Sequence, residues 1–128
     1  MSVNSKSTSP TILLAEDEAM LRLVAAEVLT DAGFEVVEAA DGTAALKILE
    51  ADDGRIGLVI SDVKMPGLSG YQLAEAGMAL HPALKFLLMT GYAQDPLPTR
   101  LSEAGVQVLH KPFDIGRLPI LAHEILAD

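Results

Sequence analysis

Residues 58–70 read LVISDVKMPGLSG, and this stretch decides the fold. Leu58–Ile60 is apolar throughout, as a strand must be when helices cover both of its faces, which is the situation of a parallel sheet. Asp62 closes the run. The Pro66-Gly67 pair then makes a turn. Helical spacing starts near Ser69 and stops before Pro82, whose ring disfavours helix in the residue ahead of it. A strand, an acid at its end, a turn and a helix therefore form one unit.

The same alternation recurs outward from this unit, although the sequence itself does not repeat. Strand-length apolar runs occur at Thr11–Ala15 (TILLA), Glu35–Ala39 (EVVEA), Leu58–Ser61 (LVIS), Lys85–Met89 (KFLLM) and Gln107–His110 (QVLH), and Phe86–Met89 is again apolar throughout. A first helix is predicted over Ala19–Ala32, with Leu21, Val24, Ala25, Val28 and Leu29 as its inward stripe, Glu27 and Arg22 on the other face, and Gly33 as the stop. A second covers Gly42–Ala51, capped by Asp41, with Ala45, Leu46 and Leu49 inward and Asp52-Asp53-Gly54 ending it. The third runs over Ser69–Leu80. A short fourth, Thr99–Ala104, is confined by Pro96 and Pro98, and a fifth, Ile115–Ala127, tolerates Pro119 only in its first turn. Five strand-helix alternations predict an α/β fold, a flavodoxin-like doubly wound (βα)5 with a five-stranded parallel sheet in the order 2-1-3-4-5.

The 128 residues, half of them apolar, suit one domain with a core of its own. That domain is expected over 11–128. Met1–Pro10, rich in Ser and lacking an apolar h-region, reads as a disordered tail and not a signal peptide. A formal charge of −9 opposes a phosphate backbone, so direct nucleic-acid binding is not expected. The absence of cysteine excludes disulfides, thiolate metal sites and cysteine nucleophiles. No apolar run approaches the ~18 residues of a membrane span, and a soluble, cytoplasmic domain is expected.

In such a sheet the functional crevice lies beyond the carboxyl ends of the strands. There Glu16-Asp17-Glu18 follows the first strand, Asp62 closes the third, Thr90 follows the fourth and Lys111 follows the fifth. Gathered carboxylates repel one another and resist desolvation unless a cation intervenes, and an oxygen-only ligand set favours Mg²⁺ over softer metals. Asp17 and Asp62 are the expected direct ligands. With its repulsion toward phosphate offset in this way, an Asp carboxylate becomes a competent phosphoryl acceptor. Lys111 would pair with one phosphoryl oxygen and Thr90 would hydrogen-bond another.

The strings LLAEDE at 13–18, SDVKMPGLSG at 61–70, MTG at 89–91 and HKPF at 110–113 resemble the bacterial response-regulator receiver family, in its order and approximate spacing, from about residue 11 onward. The resemblance implies that Glu16 and Asp17 are the acidic metal pair, that Asp62 accepts the phosphoryl group, that Thr90 is the switch hydroxyl and that Lys111 binds phosphate. It also implies that the Lys64 backbone carbonyl completes the Mg²⁺ shell and that the Lys111-Pro112 bond is cis, orienting the lysine. The donor would be a histidine kinase or phosphotransfer protein. The output would be a protein target docked on the 4-5 face, in a monomer or a phosphorylation-dependent dimer, with no DNA-binding output domain and no enzymatic turnover. Receivers usually carry Tyr or Phe three residues before the lysine, where this chain has Val108; Tyr92, two residues past Thr90, resembles a Thr-Gly-Tyr subgroup of single-domain alphaproteobacterial receivers. Lys64 and Tyr92 would flank an attacking water and tune hydrolysis.

Plainer roles compete at each position. Asp17 or Glu18 could cap the first helix, Asp62 could serve only its turn, Lys111 could be a solvated lysine and Tyr92 could pack in a loop. His81, His110 and His123 lack metal spacing and a nucleophile partner, and are read as structural. Three other functions are weaker fits. An aspartyl-nucleophile phosphatase wants a second Asp where Lys64 stands; a pseudo-receiver would lack Asp62, Lys111 or the acidic pair; a flavin carrier would have Ser, Thr and Gly where AEDEAM stands.

Overall fold

The computed structural model describes residues 10–91 and 96–127. Its strands are β1 (Thr11–Ala15), β2 (Glu35–Ala39), β3 (Ile56–Asp62), β4 (Lys85–Thr90) and β5 (Gln107–His110), and its helices are α1 (Ala19–Asp31), α2 (Gly42–Ala51), α3 (Gly70–Leu80), α4 (Thr99–Glu103) and α5 (Arg117–Ala127). The strands form one parallel sheet in the order β2-β1-β3-β4-β5, as the alternation predicts.

Alternation along each strand divides the core in two, because successive side chains leave opposite faces of a sheet. On one face Leu13, Val59, Phe86 and Leu88 meet Leu49 of α2, Leu73 of α3 and Leu101 of α4. On the other, Ile12, Leu14, Ile60 and Leu87 meet Ala25 and Leu29 of α1 and Leu118, Ala122 and Ile125 of α5. The chain thus winds to one side from β1 and to the other from β3. These two adjacent strands form the switch point, where ligands enter such sheets.

Local signals set most boundaries. The Asp41 carboxylate accepts the Ala44 N–H at 2.7 Å and starts α2. Ser69 caps α3 in a capping box with Gln72. The Asp52 carboxylate accepts the N–H groups of Gly54, Arg55 and Ile56 and turns the chain into β3. Pro119 is the third residue of α5, within its first turn.

Four readings need correction. In α1 the buried residues are Ala25, Ala26 and Leu29, whereas Val24 is 39% exposed and, with Met20 and Leu21, borders an apolar groove closed by Pro112, Phe113 and Ile115. Arg22 is half-buried and turned toward the sheet, bonding Glu16 and Glu38, instead of lying on the solvent face. β3 gains two residues before Leu58 and takes in Asp62, and β4 takes in Thr90, because ladder pairing continues past the last apolar side chain. Helix α5 starts two residues later than expected, after the Asp114 carboxylate accepts the Gly116 N–H. Apart from Pro10, which packs against Gly57, the expected tail lies outside the described residues.

Candidate functional site

β1 ends at Ala15, and the Glu16 N–H still donates to the Ala39 carbonyl of β2 at 3.1 Å. This bond holds Glu16 at the sheet edge, where only 1% of its surface is exposed. Its Oε2 accepts the Glu18 N–H at 3.0 Å, while Oε1 is buried and has no hydrogen-bond partner. Asp17 is exposed beside it. Glu18 is the N-cap residue of α1 and its side chain makes no cap bond, so a capping role does not account for the acidic string.

Asp62, the last residue of β3, is 8% exposed. Its backbone is clamped by neighbours: the Val63 N–H donates to Met89 O at 2.9 Å, the Gly70 N–H to Val63 O at 2.8 Å, and Ser61 Oγ to Asp62 O at 2.9 Å. A Cβ on Gly70 would sit 2.5 Å from the Asp62 carbonyl oxygen, so α3 can approach this strand end only with glycine there. The side chain is held at both oxygens. Oδ1 accepts the Lys64 N–H at 3.3 Å and Oδ2 accepts from Lys111 Nζ at 2.9 Å.

One carboxylate oxygen each from Glu16, Asp17 and Asp62 lies within 4.8 Å of the others. Burial pushes the Glu16 carboxyl up to about 7; the Asp62 charge adds to the rise, and the Glu18 N–H and the Lys111 charge offset it only in part. At Lys111 burial pulls downward, but the hydrogen bond to Asp62 and the charges of Asp62, Glu16 and Glu18 outweigh it and hold the ammonium above its ordinary value. The three acids, the orphaned buried Oε1 and the all-oxygen donor set suit a hard divalent cation such as Mg²⁺.

Thr90 ends β4 with 1% of its surface exposed, and its carbonyl accepts the Lys111 N–H at 2.7 Å. Together with Asp62, Lys64, Gly91 and Lys111 it lines a cleft of about 310 Å³. The Lys111–Pro112 bond is cis, as the resemblance implied. The structure brings Glu16, Asp17, Asp62, Thr90 and Lys111 into one neighbourhood, with Lys64 beside them. Val108 stands in β5 opposite Leu88 and does not line the cleft, and Tyr92 lies outside the described residues. His81 Nε2–H donates to Leu49 O at 2.9 Å, and His123 packs on the Phe34 ring at 4.6 Å, both in keeping with structural roles. Gly70, Arg22 and Glu38 were missed. A Gly straight after a helix cap was a signal for the first; no local pattern marked the others.

The response regulator receiver domain family matches residues 12–122. The chain is 38% identical over 121 residues to the sensor kinase CckA of Brucella abortus (strain 2308), a match covering 94% of this chain and 13% of that protein. It is 32% identical over 108 residues to the response regulator receiver protein CpdR of the same organism, covering 84% and 88%. A crystal structure of the receiver domain from the hybrid histidine kinase CckA superposes with a TM-score of 0.77 at 39% identity, covering 91% of this chain and 98% of that one. Against three larger relatives the chain spans 13%, 24% and 52% of their lengths. Among the described residues no helix is long and apolar enough to cross a membrane. The sheet order, the acids at its switch point and a family match over most of the sequence lead to one conclusion: the chain belongs to the response regulator receiver domain family of two-component signalling.

Proposed function

We propose that this receiver is a phosphoacceptor switch, with residues 11–128 as the signalling unit and Asp62 as the acceptor. One observation carries the reading: a buried Asp at the end of β3 is paired with Lys111 at 2.9 Å and gathered with Glu16 and Asp17 within 4.8 Å. Glu16, Asp17 and Asp62, with the Lys64 carbonyl, would hold Mg²⁺, which when bound neutralises charge between the acids and the incoming phosphoryl group. The acceptor is Asp62. Its oxygen forms a bond to phosphorus as the P–N bond of a donor phosphohistidine breaks, leaving an acyl phosphate. Lys111 passes from the carboxylate to a phosphoryl oxygen, and the Thr90 hydroxyl, across the same cleft, turns to another.

The donor would be a histidine kinase or phosphotransfer protein, a reading supported by the similarity to CckA and CpdR. The phosphorylated form would dock a protein target through the face of α4, β5 and α5, since a chain of charge −9 is poorly suited to nucleic acid. With Val108 in place of a ring, Thr90 has no aromatic partner at that position to carry its movement, and Tyr92 takes that role while Lys64 and Tyr92 set the phosphoryl lifetime. Lys64 also stands where an aspartyl phosphatase would carry its general acid, which favours a switch over turnover.

Intact mass after treatment with a small-molecule phosphodonor, with and without Mg²⁺, tests the assignment. The expected result is a Mg²⁺-dependent gain of about 80 Da that is absent in Asp62→Asn, one phosphoryl group in place of one proton. If neither the gain nor binding of a beryllofluoride mimic occurs, the switch is wrong and a docking module without phosphorylation takes its place.

A further inference from the structure

The acids of the site sit on a loop whose shape is set only in part by the acids themselves, through the Glu18 N–H on Glu16 Oε2. Between β1 and α1 only Glu16, Asp17 and Glu18 intervene, and the direction in which Glu16 and Asp17 point depends on the peptide group joining them. Its carbonyl, that of Glu16, accepts a hydrogen bond from Arg22 Nη1 at 2.8 Å. Arg22 lies one turn into α1, with its own N–H on Glu18 O at 2.9 Å, so its side chain reaches back over the loop. The guanidinium is anchored in turn: Nε lies 3.4 Å from Glu38 Oε1 on β2, the residue before the Ala39 carbonyl that holds the Glu16 N–H. Both backbone polar groups of Glu16 are thereby tied to the β2 end, one directly and one through Arg22.

We propose that Arg22 is a positioning residue of the acidic site: held by Glu38, its guanidinium fixes the Glu16 carbonyl and so presents the Glu16 and Asp17 carboxylates to Asp62 at metal-binding spacing. This rests on the reading of that site as a Mg²⁺ site. The planar fork serves the carbonyl from Nη1 and the carboxylate from Nε in one fixed geometry, whereas the three donors of a lysine all leave a single nitrogen and have no fixed fork. The pair with Glu38 is too exposed, at 21% and 43% of the two side chains, to matter greatly for folding. Its effect falls on geometry, as with the outer groups that orient metal ligands elsewhere.

The test is Mg²⁺ titration by calorimetry of the whole chain, beside thermal unfolding in EDTA, for wild type, Arg22→Ala, Arg22→Lys, Glu38→Ala and the Arg22→Ala/Glu38→Ala double variant. Arg22→Ala and Arg22→Lys should each weaken Mg²⁺ binding by about 10-fold. Glu38→Ala should weaken it less, and the double variant should match Arg22→Ala, because the two act through one contact. Glu38→Gln, which keeps an oxygen for Nε, should restore most of the affinity, and Arg100→Ala, which loses only the distant bridge to Glu75, should bind as wild type. A merely structural Arg22 would lower the unfolding temperature in EDTA and leave the Mg²⁺ Kd where it is, and that result overturns the inference, as would additive effects in the double variant. Should Arg22→Ala fail to fold, the Glu38→Ala and Glu38→Gln pair still decides. Wild type showing no Mg²⁺ binding overturns the metal-site reading, and this inference with it; wild-type binding with no effect of any Arg22 or Glu38 change overturns this inference alone.

Discussion

Replacing Glu16 by Gln should make the metal-free protein more stable while damaging its site. The Glu16 carboxyl, 1% exposed, is raised from an ordinary 4.5 to about 7 by burial first and by the Asp62 charge next. A folded-state value above the unfolded one means that the native protein holds this proton more tightly. The associated stability is thus complete below about 4.5 and is lost as pH rises through about 7. Over pH 5 to 8 the loss amounts to about 2 kcal/mol, from 1.36 kcal/mol per unit and an allowance for relaxation of the loop. Gln has no charge to desolvate, its oxygen can still accept the Glu18 N–H, and its amide can donate toward Asp62. Urea unfolding of both proteins in EDTA should therefore show Glu16→Gln ahead at pH 8, with the gap nearly closed at pH 5. Added Mg²⁺ should raise the wild type and leave the variant almost unmoved. A variant less stable than wild type at pH 8 in EDTA, or a gap that does not change with pH, refutes the account of Glu16 as a carboxylate held at a cost for a cation.

The same proton predicts that Mg²⁺ binding tightens with pH: ionising a group of value about 7 gives a roughly 10-fold lower Kd at pH 8 than at pH 6, with proton release measurable in buffers of different ionisation enthalpy. Lys111→Met removes the cation 2.9 Å from Asp62, so Mg²⁺ should bind more tightly while donor phosphorylation falls by about 100-fold, a split that intact mass and calorimetry together resolve. Metal-free Lys111→Met should also lose about 2 kcal/mol at pH 7, because a buried carboxylate is left among acids without its partner; urea unfolding measures it. Gly70→Ala forces a Cβ to 2.5 Å from the Asp62 carbonyl and should cost about 1–3 kcal/mol, with slower phosphorylation of a protein that still folds; a wild-type melting temperature would mean that α3 yields without strain.

The fold was legible because its signals are local and agree. Leu58–Ile60 is apolar on both faces, Asp41 and Ser69 cap helices that begin one residue later, and Pro119 falls where a helix accepts it. The acids and Lys111 were legible for a topological reason: a parallel sheet brings all its strand ends to one edge, so residues far apart in sequence become neighbours without any knowledge of their contacts. What escaped was whatever depends on a contact between elements. Val24 fits the helical stripe of α1, yet the groove beside Pro112 and Phe113 leaves it exposed. Periodicity puts Arg22 on the solvent face, but an arginine is long enough to turn back over its own helix start toward a carbonyl and toward Glu38. Gly70 reads as helix-start punctuation until the Asp62 backbone is seen 2.5 Å from its missing Cβ. Each residue proposed to act on the phosphoryl group could be named from its place at a strand end, whereas those that hold them in position are defined by a second element. The chemistry of such a site is thus read along the chain, and its precision, including the spacing of Glu16 and Asp17 from Asp62, is set by packing across it.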